Sequence, residues 1–113
     1  MDFIDIEKKM RESVVKIETV GTEYAQAKAL SWLLQEQRKV VLATQMAKSE
    51  AKTVNAKELD ALQSVEYKTH LEGTKEAIGE EHRLKAVYER WLAQMEACRS
   101  LMSLEKKKIE LAQ

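Results

Sequence analysis

The stretch from Val65 to Leu111 constrains the fold more than any other. It contains no proline, and its apolar residues return at alternating steps of three and four. Tyr67, Leu71, Ile78, Leu84, Val87, Tyr88, Trp91, Met95, Cys98, Leu101, Met102 and Ile109 carry the repeat. That spacing gathers them on one stripe of a helix and would scatter them over both faces of a strand. The residues between are mostly Glu, Lys, Arg, Ala and Gln, which lose little in a helix. Ser64 is placed to cap the first turn, its hydroxyl accepting an unpaired N–H. Glu66 suits the positive start of the helix and Lys106, Lys107 and Lys108 suit its negative end. Gly73 and Gly79 interrupt the pattern at a cost of roughly 1 kcal/mol each against alanine. Neither is followed by a proline or a loop-like cluster, so both read as places of close packing rather than breaks. At ~1.5 Å per residue an unbroken helix here is roughly 70 Å long. That length implies an elongated hairpin, or a helix that runs on into a partner.

The earlier segments follow the same rule. Phe3, Ile6, Met10, Val14 and Ile17 predict a helix over residues 2–20, and Asp2 is a candidate cap for it. Gly21 reads as a bend or short turn that stops it, in the left-handed conformation that glycine adopts without a steric cost, the alternative being a helix continuous through Gly21. Thr22 then restarts the chain as a second cap. Tyr24, Ala27, Leu30, Leu34, Val41 and Ala47 mark one face of a second helix, residues 22–53, and Trp32, Leu33, Val40 and Leu42 widen it. The run from Ala29 to Leu34 is apolar on nearly all sides, which predicts a position at the centre of the bundle. Asn55 and Glu58 have the spacing of a capping box, which opens a short helix over 56–62. That elbow makes the second helix and the last, residues 65–111, antiparallel.

The predicted fold is therefore all-α, a single helical domain over residues 1–113. It is an elongated antiparallel helical hairpin with an N-terminal third helix, assembled as an oligomeric helical bundle or coiled coil. Composition agrees: no proline, three glycines and 5% aromatic residues fit helices better than sheets. No apolar run approaches the ~20 residues needed to cross a bilayer. The start, MDFIDIEKK, lacks the basic-then-apolar order of a secretory leader. Together these predict a cytoplasmic protein without membrane contact.

Chemistry is sparse. The single cysteine, Cys98, cannot form a disulfide with another cysteine of these 113 residues and falls on the apolar stripe as a small buried side chain. His70 and His82 lack the Glu-x-x-His motifs on separate helices that a carboxylate-bridged metal pair needs. No nucleophile elbow and no phosphate-cradling glycine loop occurs. The sequence thus predicts no catalytic residue, no metal ligand and no cofactor, and a protein that is not an enzyme.

Binding remains. Nineteen basic and nineteen acidic side chains leave no net field toward nucleic acid. Local clusters do exist. Arg83, Lys85 and Arg90, with Lys106, Lys107 and Lys108, are the candidate nucleic-acid contacts. Solvated, acid-balanced helix faces explain the same residues. Tyr88, Trp91, Met95, Leu101 and Met102 concentrate apolar surface far from the chain reversal and are the candidate interface with a protein partner or a second copy. Either the N-terminal helix covers this surface in a monomeric three-helix bundle, or a second subunit or a foreign protein does.

The run Glu66-Tyr67-Lys68-Thr69-His70-Leu71-Glu72-Gly73-Thr74-Lys75-Glu76-Ala77-Ile78 resembles a stretch in small helical proteins of bacteriophage replication and recombination modules. Glu23-Tyr24-Ala25-Gln26-Ala27-Lys28-Ala29 is similar to a segment near their start. In those proteins a Tyr-Lys-x-His-Leu-x-Gly-like segment opens the last long helix, which ends in a charged tail, as residues 105–110 do here. The resemblance implies a phage-encoded accessory protein in the bacterial host cytoplasm, working beside a single-strand annealing recombinase or a single-strand binding protein. It carries over no catalytic residue. Ser100-Leu101-Met102-Ser103-Leu104 departs from the more polar, Arg-rich end of such proteins, which weakens the inference to DNA contact. Three functions follow as expectations. The first is a non-enzymatic phage accessory protein acting through protein–protein interaction in recombination or replication. The second is an oligomeric nucleic-acid-binding protein. The third is an inhibitor of a host defence or metabolic protein.

Overall fold

The computed structural model describes residues 2–113. Three helices follow in order: α1 (Phe3–Lys48), α2 (Val54–Gln63) and α3 (Val65–Ala112). No strand occurs among the described residues. The all-α helical hairpin expected from the apolar spacing is the fold observed.

Each boundary has a local cause. Asp2 Oδ1 accepts the Asp5 N–H at 2.9 Å and so caps α1. At the other end Ser49 draws the chain out of the helix. Its hydroxyl donates to Asp60 Oδ2 at 2.6 Å and accepts the Ala51 N–H at 3.1 Å. These bonds replace the next helical turn, so α1 stops at Lys48 rather than near Thr53. Thr53, not Asn55, caps α2. Its backbone is extended and its Oγ1 accepts the Ala56 N–H at 3.1 Å. Ser64 then serves two helices. Its hydroxyl donates to the Ala61 carbonyl at 2.6 Å, closing α2, and accepts the Tyr67 N–H at 3.2 Å, opening α3.

The separate N-terminal helix is corrected. Residues 2–20 and 22–53 do not form two helices, because α1 runs through Gly21 without interruption. No glycine among the described residues has a positive φ, so Gly21 is not a left-handed stop. Its missing side chain makes room instead. A Cβ built there would lie 3.1 Å from Tyr88 Cε2. Gly73 and Gly79 are corrected in the opposite sense. A Cβ at either would meet nothing within 4 Å, so no neighbour packs closely there.

The chain divides into two compact units through which α1 and α3 both pass. Unit 1 comprises residues 1–25 and 83–113. Here α1 contributes Ile6, Met10, Ser13, Ile17, Val20 and Tyr24 to the covered seam, and α3 contributes Leu84, Tyr88, Trp91, Met95, Cys98 and Met102. Both series step by three and four, the 3.5-residue rhythm of a coiled coil. The pairing is antiparallel: Ser13 meets Gln94, and Tyr24 meets Tyr88 with ring centroids 5.8 Å apart. Cys98 is buried in this seam, as its place on the stripe predicts.

Unit 2 comprises residues 26–82. The same rhythm continues in each helix, through Ala27, Ser31, Leu34, Val41 and Gln45 of α1 and Tyr67, His70, Thr74, Ala77 and Glu81 of α3. Ala61 of α2 is buried with them. His70 Nε2 lies 2.8 Å from the Leu34 carbonyl, which can only accept, so Nε2 carries the proton. The expectation for residues 29–34 is overturned. Leu30, Trp32 and Leu33 are exposed, and of that run only Ser31 is fully buried. A helix in a two-helix seam covers one stripe, and Ser31 and Leu34 occupy it; the apolar neighbours between them must point outward.

Candidate protein-docking groove

Unit 1 carries an apolar groove beside its seam. Val14 and Ile17 of α1 and Leu92 and Met95 of α3 line it, and Glu18, Glu96 and Arg99 form its rim. Its volume is about 590 Å³. The sequence builds it in a simple way. Ile17 and Met95 belong to the seam, whereas Val14 and Leu92 are the residues just after the seam positions Ser13 and Trp91. Positions flanking a coiled-coil seam often carry Glu or Lys, whose stems cover the apolar stripe. Here they carry Val and Leu. Val14 is 51% exposed and Leu92 is 39% exposed, so the stripe widens into solvent.

The seam next to Val14 carries polar bonds. Ser13 is fully buried. Its hydroxyl donates to the Lys9 carbonyl at 2.9 Å and accepts from Gln94 Nε2 at 3.1 Å. On the rim Arg99 Nη1 pairs with Glu96 Oε1 at 2.9 Å. Both groups are well exposed, and a pair of that kind contributes little to stability. It leaves charge of both signs at the groove's edge.

The expected interface residues divide. Tyr88 faces inward, against Gly21 and Tyr24. Trp91 is half-buried, with Lys16 Nζ 6.0 Å from its ring centroid. Met95 is half-buried and lines the groove. Met102 is half-buried and Leu101 is exposed, both beyond the groove. The first part of α1 thus covers Tyr88 and much of Trp91, as a cover within the chain would. Val14, Ile17 and Leu92 are the groove residues outside the expected set. Val14 and Ile17 stand on the apolar stripe expected for residues 2–20; Ile17 keeps that place, but Ser13 takes the buried seam position and leaves Val14 51% exposed.

The basic residues gather no comparable site. Arg83, Lys85, Arg90, Lys106, Lys107 and Lys108 are all exposed. Glu80 and Glu81 precede the first three in the chain, Glu89 lies between Lys85 and Arg90, and Lys108 Nζ lies 3.3 Å from Glu105 Oε1. Among the described residues no three His, Cys, Asp or Glu side chains gather as a metal site. No helix among them is long and apolar enough to cross a membrane.

No family model matches this chain, and no curated protein or solved structure does either. The functional reading rests on the residues themselves.

Proposed function

We propose that this chain is a non-enzymatic accessory protein that works by seating another protein on the groove of Val14, Ile17, Leu92 and Met95. One observation carries the reading: apolar side chains stand where a solvated coiled coil keeps charged ones, and they join seam residues into one continuous concave surface. A groove of this form suits the apolar face of an amphipathic helix, with charged residues at its edges to fix orientation. The resemblance of Glu66–Ile78 to phage replication and recombination proteins supplies the setting, an accessory role in phage DNA recombination or replication. Direct nucleic-acid binding has less support, because the basic side chains alternate with acidic ones on the same helix.

The test is capture from extracts of the cells that make the protein, with the wild type and Leu92→Glu compared side by side. Glutamate is a good helix former, and residue 92 is partly exposed, so the fold is expected to survive the change. The reading predicts a protein retained by the wild type and depleted at least tenfold on Leu92→Glu, with helicity unchanged by circular dichroism. Equal capture by both proteins would refute the groove as the docking site. Salt-sensitive binding of a fluorescent single-stranded oligonucleotide, unaffected by Leu92→Glu, would move the function to the basic residues.

A further inference from the structure

The outward face of α1 in unit 2 carries a second apolar stripe. Ala29, Leu33, Glu36, Val40, Ala43 and Ala47 recur at steps of four and three, all exposed and turned away from the Ser31–Leu34 seam. Trp32 stands beside Leu33 and is 63% exposed; Val40 is 64% exposed. The stripe is local. At the equivalent positions earlier in α1 stand Lys8, Glu12, Thr19, Thr22 and Gln26, with Val15 the one apolar residue. A solvated helix face has no need of such a change. Alternation at 3.5 residues on a helix is the requirement of a second coiled-coil seam.

We propose that the occupant of this face is the same face of a second copy, packed antiparallel about a two-fold axis near Arg38. The stripe can pair with itself in that orientation, with Glu36 of one copy opposite the partner's Val40. Turned end for end, Leu33 of one copy lies opposite the partner's Ala43, and Ala29 lies opposite the partner's Ala47. Leu33 thus meets a small side chain, and the alanine pairs at the ends let the backbones approach. Trp32 lies beside the partner's Met46, a favourable pairing of a ring edge with a thioether. The charges agree with the sizes. Glu36 of each copy comes beside the partner's Lys39, giving two ion pairs related by the axis. A parallel arrangement would set Glu36 against the partner's Glu36 in the middle of the stripe and is excluded by that repulsion. This dimer does not rest on the groove of unit 1, and each can fail without the other.

Mass by light scattering and sedimentation tests it. The wild type is expected to be a dimer. Trp32→Glu with Val40→Glu is expected to be a monomer of undiminished helicity, because neither side chain is covered within the chain. Charge reversal tests the orientation. Glu36→Lys alone and Lys39→Glu alone are each expected to weaken the dimer roughly tenfold, and the two together to restore it to within about threefold. A wild type that remains monomeric at high concentration would overturn the proposal. So would a dimer that survives Trp32→Glu with Val40→Glu, since the second copy would then sit elsewhere. Failure of the double charge reversal to restore the dimer would overturn the antiparallel register.

Discussion

Three glycines with the same propensity cost have different surroundings, and that difference sets what substitution does. Gly73 and Gly79 lie in helical backbone with open space where a Cβ would go. Alanine at either removes backbone freedom from the unfolded chain and disturbs nothing in the folded one. Each substitution is expected to raise the unfolding free energy by about 0.5–1 kcal/mol, read as a higher urea midpoint. Gly21 faces the Tyr88 ring at a distance where even a methyl group forces a small shift. A branched side chain cannot be accommodated that way. Gly21→Val is expected to lower stability by about 1–3 kcal/mol, the usual cost of overpacking. None of this was legible in the sequence, because local pattern gives a glycine's cost but not its neighbour. The position of Tyr88 against Gly21 depends on the register between two helices far apart in the chain.

At the scale of the element, caps decide the boundaries. Asn55 with Glu58 has the sequence spacing of a capping box, yet Thr53 does the capping. The reason lies in what precedes it. Ser49 ends α1 early, residues 49–53 become connection, and the Thr53 hydroxyl, on extended backbone, reaches the free N–H of Ala56. Thr53→Ala is therefore expected to cost about 1 kcal/mol by urea denaturation, whereas Asn55→Ala should cost a few tenths at most. Comparable losses from both would mean that the box at Asn55 does form. Ser64 was legible as a cap from its place before the apolar repeat. Its second task, closing α2 through the Ala61 carbonyl, was not. The helices were legible because their apolar residues keep one period throughout. Whether the chain breaks at Gly21 was not legible, because glycine's preference for a stop is a weak prior and α1 runs through it with Tyr88 packed alongside.

At the scale of the whole molecule, the chain has little interior. The largest fully buried side chains are Ile6, Ser13 and Ser31, and two of these are serines. Many large seam residues are only half covered, and further apolar side chains lie outside the seam, on Val14 and Leu92 in unit 1 and on Trp32, Leu33 and Val40 in unit 2. Association that covers these residues adds stability to the folded form alone. The midpoint of thermal unfolding is accordingly expected to rise with protein concentration, and to lose that dependence in Trp32→Glu with Val40→Glu. An unchanged midpoint over a hundredfold range of wild-type concentration would count against self-association. The hairpin and the stripe that holds it were legible in the sequence. The second stripe was not, because Ala29–Leu34 is apolar on nearly all sides and only register shows which side a two-helix seam covers. Met95 was legible as an interface residue, Val14 only as a member of the first stripe, and Leu92 not at all, because the groove joins positions on two helices and only their register brings these together.

The central claim is that the groove of unit 1 holds a protein, and photo-crosslinking in living cells tests it most directly. A photoreactive amino acid would replace Leu92, with the exposed polar position Glu72 as the control. The account predicts a discrete adduct of higher mass from position 92, identified by mass spectrometry as one other protein, and none from position 72. Loss of that adduct on adding Val14→Glu would tie it to the groove. The same weak smear from both positions, or no adduct from either, would contradict the account.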